Sequence, residues 1–309
     1  MSKARPASLA LPETCAATVS STCVQSRAIP EREGHHGDVS VHVVAHRGSS
    51  NAAPEHTLKA YQKALAEGAD ALECDVRLTR DGHLVCVHDR RIDRTSSGRG
   101  PVSTLELAEL SELDFSTWKT PGPPHGDSTG GHAPDMGEVP DRDRTGILTL
   151  ERLLEVVADT PRKVELAIET KHPTRYAGAV ERQLVTLLDR FGYAHPRLGS
   201  TSPVRVMSFS QLSLRRIRIL APSLGTVLLM ERVPLRFRDG VLPRGVGIAG
   251  PGMALLRIHP HYVARVHRRG GSVHVWTVND DDDIALCLDM GVDAIITDRP
   301  RRVLDALGR

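Results

Sequence analysis

Short apolar runs alternate with longer amphipathic segments along the chain from Val41 onwards. The apolar runs have lengths typical of strands, and the intervening segments repeat their apolar residues at helical spacing. We predict strands at Val41–Ala45, Ala71–Val76, Val164–Ile168, Val204–Ser208, Gly225–Leu229, Gly245–Ile248, Ser272–Thr277 and Ala294–Thr297. The predicted helices are Thr57–Glu67, Leu150–Ala158, Tyr176–Phe191, Gln211–Ala221, Pro260–Arg269, Asp281–Met290 and Pro300–Leu307. This alternation predicts an α/β fold with a parallel sheet, and eight strands favour a TIM (β/α)8 barrel without fixing its closure.

Two stretches depart from this alternation and set the predicted domain boundaries. Residues 1–40 are rich in Ser, Ala, Pro and charge, which predicts a disordered N-terminal extension before a barrel over residues 41–309. Residues 114–146 are rich in Gly, Pro, Asp and His, and predict a long insertion after the second strand. We expect this insertion to border the active site at the C-terminal face of the barrel.

The overall composition argues against several classes of protein. The chain is 40% hydrophobic and 25% charged, which is typical of a soluble globular protein. A net charge of +2 and 3% aromatic residues argue against a nucleic-acid partner. The sequence has no apolar run of about 18 residues, so we expect no stable membrane insertion. The 5 cysteines fit no disulfide framework or zinc motif, so we expect reduced thiols and a cytoplasmic location.

Acidic side chains occupy alternate positions of the second predicted strand. Glu73 and Asp75 therefore point the same way, and two such acids repel unless a cation or a proton lies between them. Glu169 ends the third predicted strand and supplies a third carboxylate, a set that suits Mg²⁺ or Ca²⁺. The alternatives are rim carboxylates paired with Arg47 or Arg77, and a Glu169–Lys171 salt bridge.

Two histidines lie at the ends of apolar runs on either side of these acids. His46 follows the first predicted strand, and His88 follows the run Leu84–Val87. Hydrolysis of an ester requires removal of one proton and delivery of another, and two imidazoles can do both near neutral pH. Together with the acids, they predict a hydrolytic site with a metal ion and two histidines, in which either histidine could be the base.

An ordered set of short motifs resembles the glycerophosphodiester phosphodiesterase family. The set covers roughly Val41 to Leu307 and consists of His46-Arg47-Gly48, Pro54-Glu55, Glu73-x-Asp75, Asp81-Gly82, His88-Asp89, Ile168–Lys171, Val275–Asn279 and Gly291–Pro300. One departure is His56, where the family usually has Asn. This departure leaves the proposed acid–base and metal residues untouched, but could alter how the first loop is held.

The resemblance implies a role for each candidate residue. His46 is the expected general base and His88 the general acid, with Glu73, Asp75 and Glu169 as the metal ligands. The remaining expected site residues bind substrate, and these are Arg47, Glu55, Lys171 and Trp276. Arg47 and Lys171 suit phosphoryl oxygens. Glu55 is expected to fix the first loop, or alternatively to start the following helix, and Trp276 to line the substrate pocket rather than the core.

The function implied is hydrolysis of a small-molecule glycerophosphodiester, dependent on Mg²⁺ or Ca²⁺. Its products would be sn-glycerol 3-phosphate and an alcohol, and the insertion at residues 114–146 would select that alcohol. One alternative is a lysophospholipase D-like enzyme with lipid substrates, which an apolar groove beside the site would favour. Another is a barrel that binds phosphate esters without cleaving them, although no histidine or acid of the set is missing. The sequence leaves the oligomeric state open.

Overall fold

The barrel predicted from the alternating pattern is present and closed. The computed structural model describes residues 41–119, 146–176, 178–197 and 199–309. The strands are β1 (His42–His46), β2 (Ala71–Leu78), β3 (Leu84–Cys86), β4 (Glu165–Thr170), β5 (Val204–Ser208), β6 (Gly225–Met230), β7 (Ile248–Pro251), β8 (Ser272–Val275) and β9 (Ala294–Thr297). All except β3 run parallel in a ring, which closes because β1 pairs with both β2 and β9. The short β3 lies antiparallel against β2. These pairings confirm the TIM barrel.

Helices follow the strands around the barrel. They are α1 (Leu58–Glu67), α2 (Leu107–Ser111), α3 (Leu150–Ala158), α4 (Ala179–Arg190), α5 (Gln211–Leu220), α6 (Met253–Ile258), α7 (Tyr262–Arg268), α8 (Asp281–Asp289) and α9 (Pro300–Ala306). Thr57, Thr149 and Ser210 cap α1, α3 and α5, because each hydroxyl accepts a backbone N–H of the first turn. The predicted disordered extension, residues 1–40, and residues 120–145 of the insertion lie outside the described residues.

The sixth barrel strand, β7, was predicted too early. It spans Ile248–Pro251 instead of Gly245–Ile248. Gly245 has a φ of +77°, a left-handed conformation incompatible with a strand, and a Cβ there would clash with the Arg218 side chain. Pairing with β6 therefore begins only after this turn. Sequence analysis also missed α6, which fills the segment between β7 and the predicted helix at Pro260–Arg269.

The inside of the barrel is arranged in three levels. Residues of alternate positions face inward along each strand. The middle level is apolar and consists of Val44, Ala71, Ala167, Met207, Val227, Leu229, Ala294 and Ile296. By the same alternation, polar residues lie below it at the strand starts and above it at the strand ends. The carboxyl ends of β1, β2 and β4 therefore carry the predicted site residues into one space.

Candidate active site

Three buried carboxylates meet at the carboxyl ends of β2 and β4. Asp75 and Glu169 are register partners, and Glu73 lies on the same face of β2. Their candidate ligand oxygens lie within 4.8 Å of one another. The sequence-predicted acids are thus brought together.

Two basic side chains contact this acidic cluster. The Lys171 Nζ lies 2.8 Å from Glu169 Oε1 and 2.9 Å from Asp75 Oδ1. The Arg47 Nε lies 3.1 Å from Asp75 Oδ2. The salt bridge considered as the alternative for Glu169 is therefore present, but it coexists with the acidic cluster. Three carboxylates beside two permanent cations leave an excess of potential negative charge.

The pKa values of the three acids are driven apart. Burial, and then Asp75, raise the pKa of Glu73 well above its usual value, and the same causes raise the pKa of Glu169 to about 7. Burial also opposes ionisation of Asp75, but Lys171, His56 and Arg47 outweigh it and hold its pKa well below the usual value. Asp75 is thus the anionic centre, and the other two carboxylates readily accept protons or a cation.

The cluster has the donor chemistry of a hard-cation site. All three side chains offer carboxylate oxygens, which Mg²⁺ and Ca²⁺ prefer. Asp75 Oδ1 is buried and contacts Lys171 Nζ at 2.9 Å, yet three carboxylates with ligand oxygens within 4.8 Å of one another outnumber the two cations beside them. The repulsion among such acids is relieved when a cation or a proton lies between them. The residues therefore fit a divalent cation.

His46 is oriented by a chain of polar groups from β9 and the loop after β8. Its Nδ1 lies 2.6 Å from Asp298 Oδ1, and Asp298 also accepts hydrogen bonds from Ser50 and Asn279 at 2.8 and 2.7 Å. Burial opposes ionisation of Asp298, but these three donors lower its pKa. An anionic Asp298 favours the His46 tautomer with a proton on Nδ1, which leaves Nε2 able to accept one.

His88 has a similar carboxylate partner. Its Nδ1 lies 2.8 Å from Asp89 Oδ1, while its carbonyl oxygen accepts hydrogen bonds from Arg77 at 2.7 and 3.0 Å. Burial lowers the pKa of His88, with Lys171 and Arg47 acting in the same direction. In both histidines, Nδ1 thus contacts an aspartate, and Nε2 makes no hydrogen bond with another described residue.

The first loop is fixed by its backbone and by Glu55. Gly48 has a φ of +84°, and a Cβ there would lie 2.6 Å from the Ala60 carbonyl carbon, so only glycine fits. Arg47, at a φ of +57°, donates its backbone N–H to Glu73 Oε2 at 2.9 Å. Glu55 bridges Arg47 and Arg94, with contacts of 3.0 and 2.8 Å. Glu55 therefore lies behind Arg47, and its expected contact with substrate stays a prediction.

His56 contacts the acidic cluster, and sequence analysis did not select it as a site residue. It is buried at a φ of +60°, with Nε2 2.9 Å from Asp75 Oδ2 and Nδ1 2.9 Å from the Tyr61 hydroxyl. Asn and His both tolerate this left-handed conformation better than most residues, which accounts for the departure noted above. The signal was its place beside Pro54-Glu55, within the motif that forms the first loop.

A pocket of about 160 Å³ opens over these groups. Its walls include His46, Arg47, Glu73, His88, Glu169, Lys171, Met207, Phe209, Leu229, Glu231, Trp276, Thr277 and Ile296. Trp276 donates its indole N–H to Gly250 O at 2.7 Å and meets the Phe209 ring edge-on, with 5.4 Å between the ring centroids. Among the expected site residues, Asp75 and Glu55 are absent from these walls, because they lie beneath and beside the pocket.

Sequence analysis also missed four polar or aromatic residues at this face. Asn279 and Asp298 were not among the expected site residues, but Asp298 orients His46 directly and Asn279 does so through Asp298. Phe209 and Glu231 directly follow β5 and β6 and were not selected. Strand alternation could have found Phe209, Glu231 and Asp298, since each lies two residues beyond an inward-facing position of its own strand. Asn279 does not follow this alternation.

The start of the predicted insertion lies against the first loop. Lys119 Nζ donates to the carbonyl oxygens of Ser50, Asn51 and Ala53, the last two at 3.0 and 3.3 Å. The Arg94 guanidinium lies over the Trp118 ring, 5.6 Å from its centroid. The described part of the insertion therefore begins beside the site, while its role in selecting the alcohol stays a prediction.

No helix in the described part of the chain is long and apolar enough to cross a membrane. The three described cysteines, Cys74, Cys86 and Cys287, are free and buried. The cytoplasmic location stays a prediction.

Comparison with known sequences relates the chain to one enzyme family. The model of the glycerophosphoryl diester phosphodiesterase family matches residues 46–302. A probable glycerophosphodiester phosphodiesterase 1 from Mycobacterium tuberculosis (strain H37Rv) is 46% identical over 263 residues, which cover 84% of this chain and 90% of the relative. The glycerophosphodiester phosphodiesterase of Bacillus subtilis (strain 168) is 32% identical over 262 residues, or 83% of each chain.

Solved structures share the fold. An Oleispira antarctica phosphodiesterase in complex with the product sn-glycerol-3-phosphate superposes with a TM-score of 0.71 and 24% identity, covering 87% of this chain and 97% of that one. A glycerophosphodiester phosphodiesterase from Agrobacterium tumefaciens gives a TM-score of 0.65 with 24% identity, covering 86% and 100% of the two chains.

Proposed function

Because the chain belongs to the glycerophosphoryl diester phosphodiesterase family, we propose that it hydrolyses glycerophosphodiesters to sn-glycerol 3-phosphate and an alcohol. The observation that carries the proposal is one pocket lined by two histidines, two cations and two of three clustered acids. The acids supply oxygen ligands, the cations suit a phosphate, and the histidines suit transfer of two protons. The same pocket in a non-catalytic barrel would not require both histidines to be oriented by aspartates.

The histidines divide the proton transfers in this proposal. His46 Nε2 removes the proton from the attacking oxygen, which is water or the glycerol hydroxyl next to the ester. In the second case the alcohol leaves with formation of a cyclic glycerol phosphate, which water then opens to sn-glycerol 3-phosphate. The imidazolium that forms is stabilised by Asp298, which already contacts Nδ1 at 2.6 Å. His88 delivers a proton to the leaving alkoxide of the alcohol. Its lowered pKa makes it a stronger acid when protonated, which favours this step.

The cationic groups offset the charge that builds on the phosphoryl oxygens. Arg47 offers a planar fork and Lys171 a compact ammonium, and both line the pocket. Glu73, Asp75 and Glu169 would hold a divalent cation, Mg²⁺ or Ca²⁺. When bound there, the ion would supply Lewis-acid stabilisation of the same charge.

The proposal is tested with a panel of glycerophosphodiesters and coupled detection of sn-glycerol 3-phosphate. We expect product from the wild type, none after treatment with a chelator, and recovery when Mg²⁺ or Ca²⁺ is added back. His88→Ala should lower kcat by roughly 10²–10⁴-fold, the range for a general acid. Absence of product from every ester, with the metal present, would contradict the proposed function and favour a barrel that only binds phosphate esters.

A lysophospholipase D-like activity is the second candidate, and one observation favours it. Phe209, Leu212 and Leu235 follow the ends of β5 and β6, and their side chains are exposed by 44%, 54% and 76%. Arg236 links these two loops by donating to Gln211 Oε1 at 3.0 Å. This apolar rim beside the pocket suits an acyl chain. Release of choline from lysophosphatidylcholine, at a kcat/KM comparable to that for glycerophosphocholine, would support the candidate, and a far lower value would exclude it.

A further inference from the structure

The wall of the pocket that faces the histidine and acid side has its own composition. In the closed ring, β6 lies opposite β1, and β8 lies opposite β4. Phe209, Glu231 and Trp276 come from the ends of β5, β6 and β8, and all line the same pocket as His46 and Glu169. A phosphodiester held by Arg47 and Lys171 on the first side would therefore extend one of its two alcohol groups toward this second wall.

Glu231 differs from the other acids at this face. Glu73, Asp75, Glu169 and Asp298 each contact a donor or a cation. Glu231 is exposed where they are buried or half-buried, and its carboxylate makes no hydrogen bond or ion pair with another described residue. An acid without a partner in a pocket that must also admit an anionic phosphate would repel substrate, unless part of that substrate is positively charged.

The two aromatic rings of this wall complete a site for a cation. The Phe209 and Trp276 rings stand nearly perpendicular, at 87°, and so form a corner. The indole N–H is already satisfied by Gly250 O, so the ring is fixed in place and offers its π-system rather than a donor. Aromatic faces attract quaternary ammonium groups, which have no N–H to donate and are poorly served by hydrogen bonds. A carboxylate beside such a corner adds a full opposite charge.

We propose that Glu231, Phe209 and Trp276 form a subsite for the alcohol half of the substrate and select alcohols that carry an ammonium group. This inference rests on the proposed function and specifies its substrate class. Glycerophosphocholine and glycerophosphoethanolamine carry a positive charge on the alcohol, whereas glycerophosphoglycerol does not. Phosphate and ammonium then lie against opposite walls, each facing groups of opposite charge.

The test compares kcat/KM for the choline and glycerol esters. Glu231→Gln keeps the size of the side chain and removes its charge, and should lower the choline-to-glycerol ratio by roughly two- to fivefold, the value of one exposed charge contact. Glu231→Lys should lower the ratio further. Asp282→Asn on α8, whose side chain is exposed outside the pocket, is the matched control and should leave the ratio unchanged.

A second variant separates the aromatic contribution from the charge. Phe209→Leu should lower the choline-to-ethanolamine ratio several-fold, because only the quaternary ammonium depends mainly on the ring faces. Melting temperatures within a few degrees of wild type would establish that both variants fold.

Three results would overturn the inference. An equal loss of kcat/KM for all esters on Glu231→Gln would place the carboxylate on the shared glycerol half, and wild-type kcat/KM for all esters would make it a surface acid. Turnover with an unchanged ratio leaves the proposed function standing and removes this inference alone. Absence of turnover of every ester removes both.

Discussion

Two polar levels occupy the two ends of the same barrel interior, and they differ in how their charges are satisfied. The floor, at the strand starts, consists of His42, Glu165, Arg205 and His274. The catalytic level, at the strand ends, consists of His46, Glu73, Asp75 and Glu169 with Arg47 and Lys171. Strand β1 supplies a histidine to each level and β4 supplies a glutamate to each, so the comparison can be made within single strands.

The floor is balanced by its own residues. Arg205 forms an ion pair with Glu165, and His42 Nδ1 lies 3.6 Å from the same carboxylate. The contact with His42, and then Arg205, lower the pKa of Glu165 despite partial burial. Burial, and then Arg205, hold the pKa of His274 well below its usual value, so it stays neutral beside the arginine.

The catalytic level is not balanced in this way. Its carboxylates outnumber the cations that contact them, and the pKa values of Glu73 and Glu169 are raised rather than lowered. Burial and charge therefore stabilise the floor without help, whereas the catalytic level is completed only by protons or an added cation. Buried charged residues alone do not indicate a binding site. They do so where the buried charges lack enough opposite charges to balance them.

The largest expected effect comes from the two histidines of β1. His46→Ala should lower kcat by roughly 10²–10⁴-fold, because the proposed base is lost. His42→Ala, four residues earlier on the same face, should keep wild-type turnover, since it lies in the floor. Steady-state kinetics on one ester measures both. Equal losses in the two variants would erase the distinction between the levels.

The two glutamates of β4 should separate stability from binding. Glu165→Gln leaves Arg205 without its carboxylate and should lower the free energy of unfolding by roughly 3–5 kcal/mol. Glu169→Gln removes like-charge repulsion and should leave the metal-free protein as stable as wild type, or more so. Urea unfolding in the presence of a chelator measures both. A larger loss of stability from Glu169→Gln would reverse the comparison.

A smaller effect is expected in the pH dependence of stability. Folded His274 stays neutral, whereas the unfolded chain takes up a proton below a pKa of about 6.5. The unfolded state then binds more protons, so this residue contributes stability above pH 6.5 that is lost as the pH falls below it.

His274→Gln isolates that contribution from those of His56 and His88, whose pKa values are also lowered. Between pH 6 and 5, wild type should lose roughly 1 kcal/mol more than the variant, since about one proton is involved. Urea unfolding at several pH values checks the slope, and parallel curves for the two proteins would mean that His274 takes up a proton in the folded state.

Sequence analysis found the catalytic level more completely than the floor, for a physical reason. Glu73 and Asp75 interrupt an apolar strand, so their charge stands out against it. His42, Glu165 and Arg205 lie near strand starts, where polar residues are also typical of loops. Their inward position follows only once the register of the closed barrel is known.

Barrel closure also explains why the orientation of His46 was missed. Asp298 lies 252 positions from His46 and was not among the expected site residues. Because β1 pairs with β9, the Asp298 carboxylate lies beside the His46 imidazole. The local pattern of apolar and polar residues predicts the strands, the helices and their inward faces. Contacts between the first and last strands can be predicted only once the barrel is known to close.

Calorimetric titration of Mg²⁺ or Ca²⁺ into chelator-treated protein tests the central claim, that the catalytic level is completed by a divalent cation. We expect one binding site in wild type and in Glu165→Gln, and at least roughly tenfold weaker binding in Glu169→Gln, because an oxygen ligand loses its charge. Affinity should fall as the pH drops through about 7, where Glu169 takes up a proton. Absence of binding in wild type, or equal affinity in the two glutamate variants, would contradict the account.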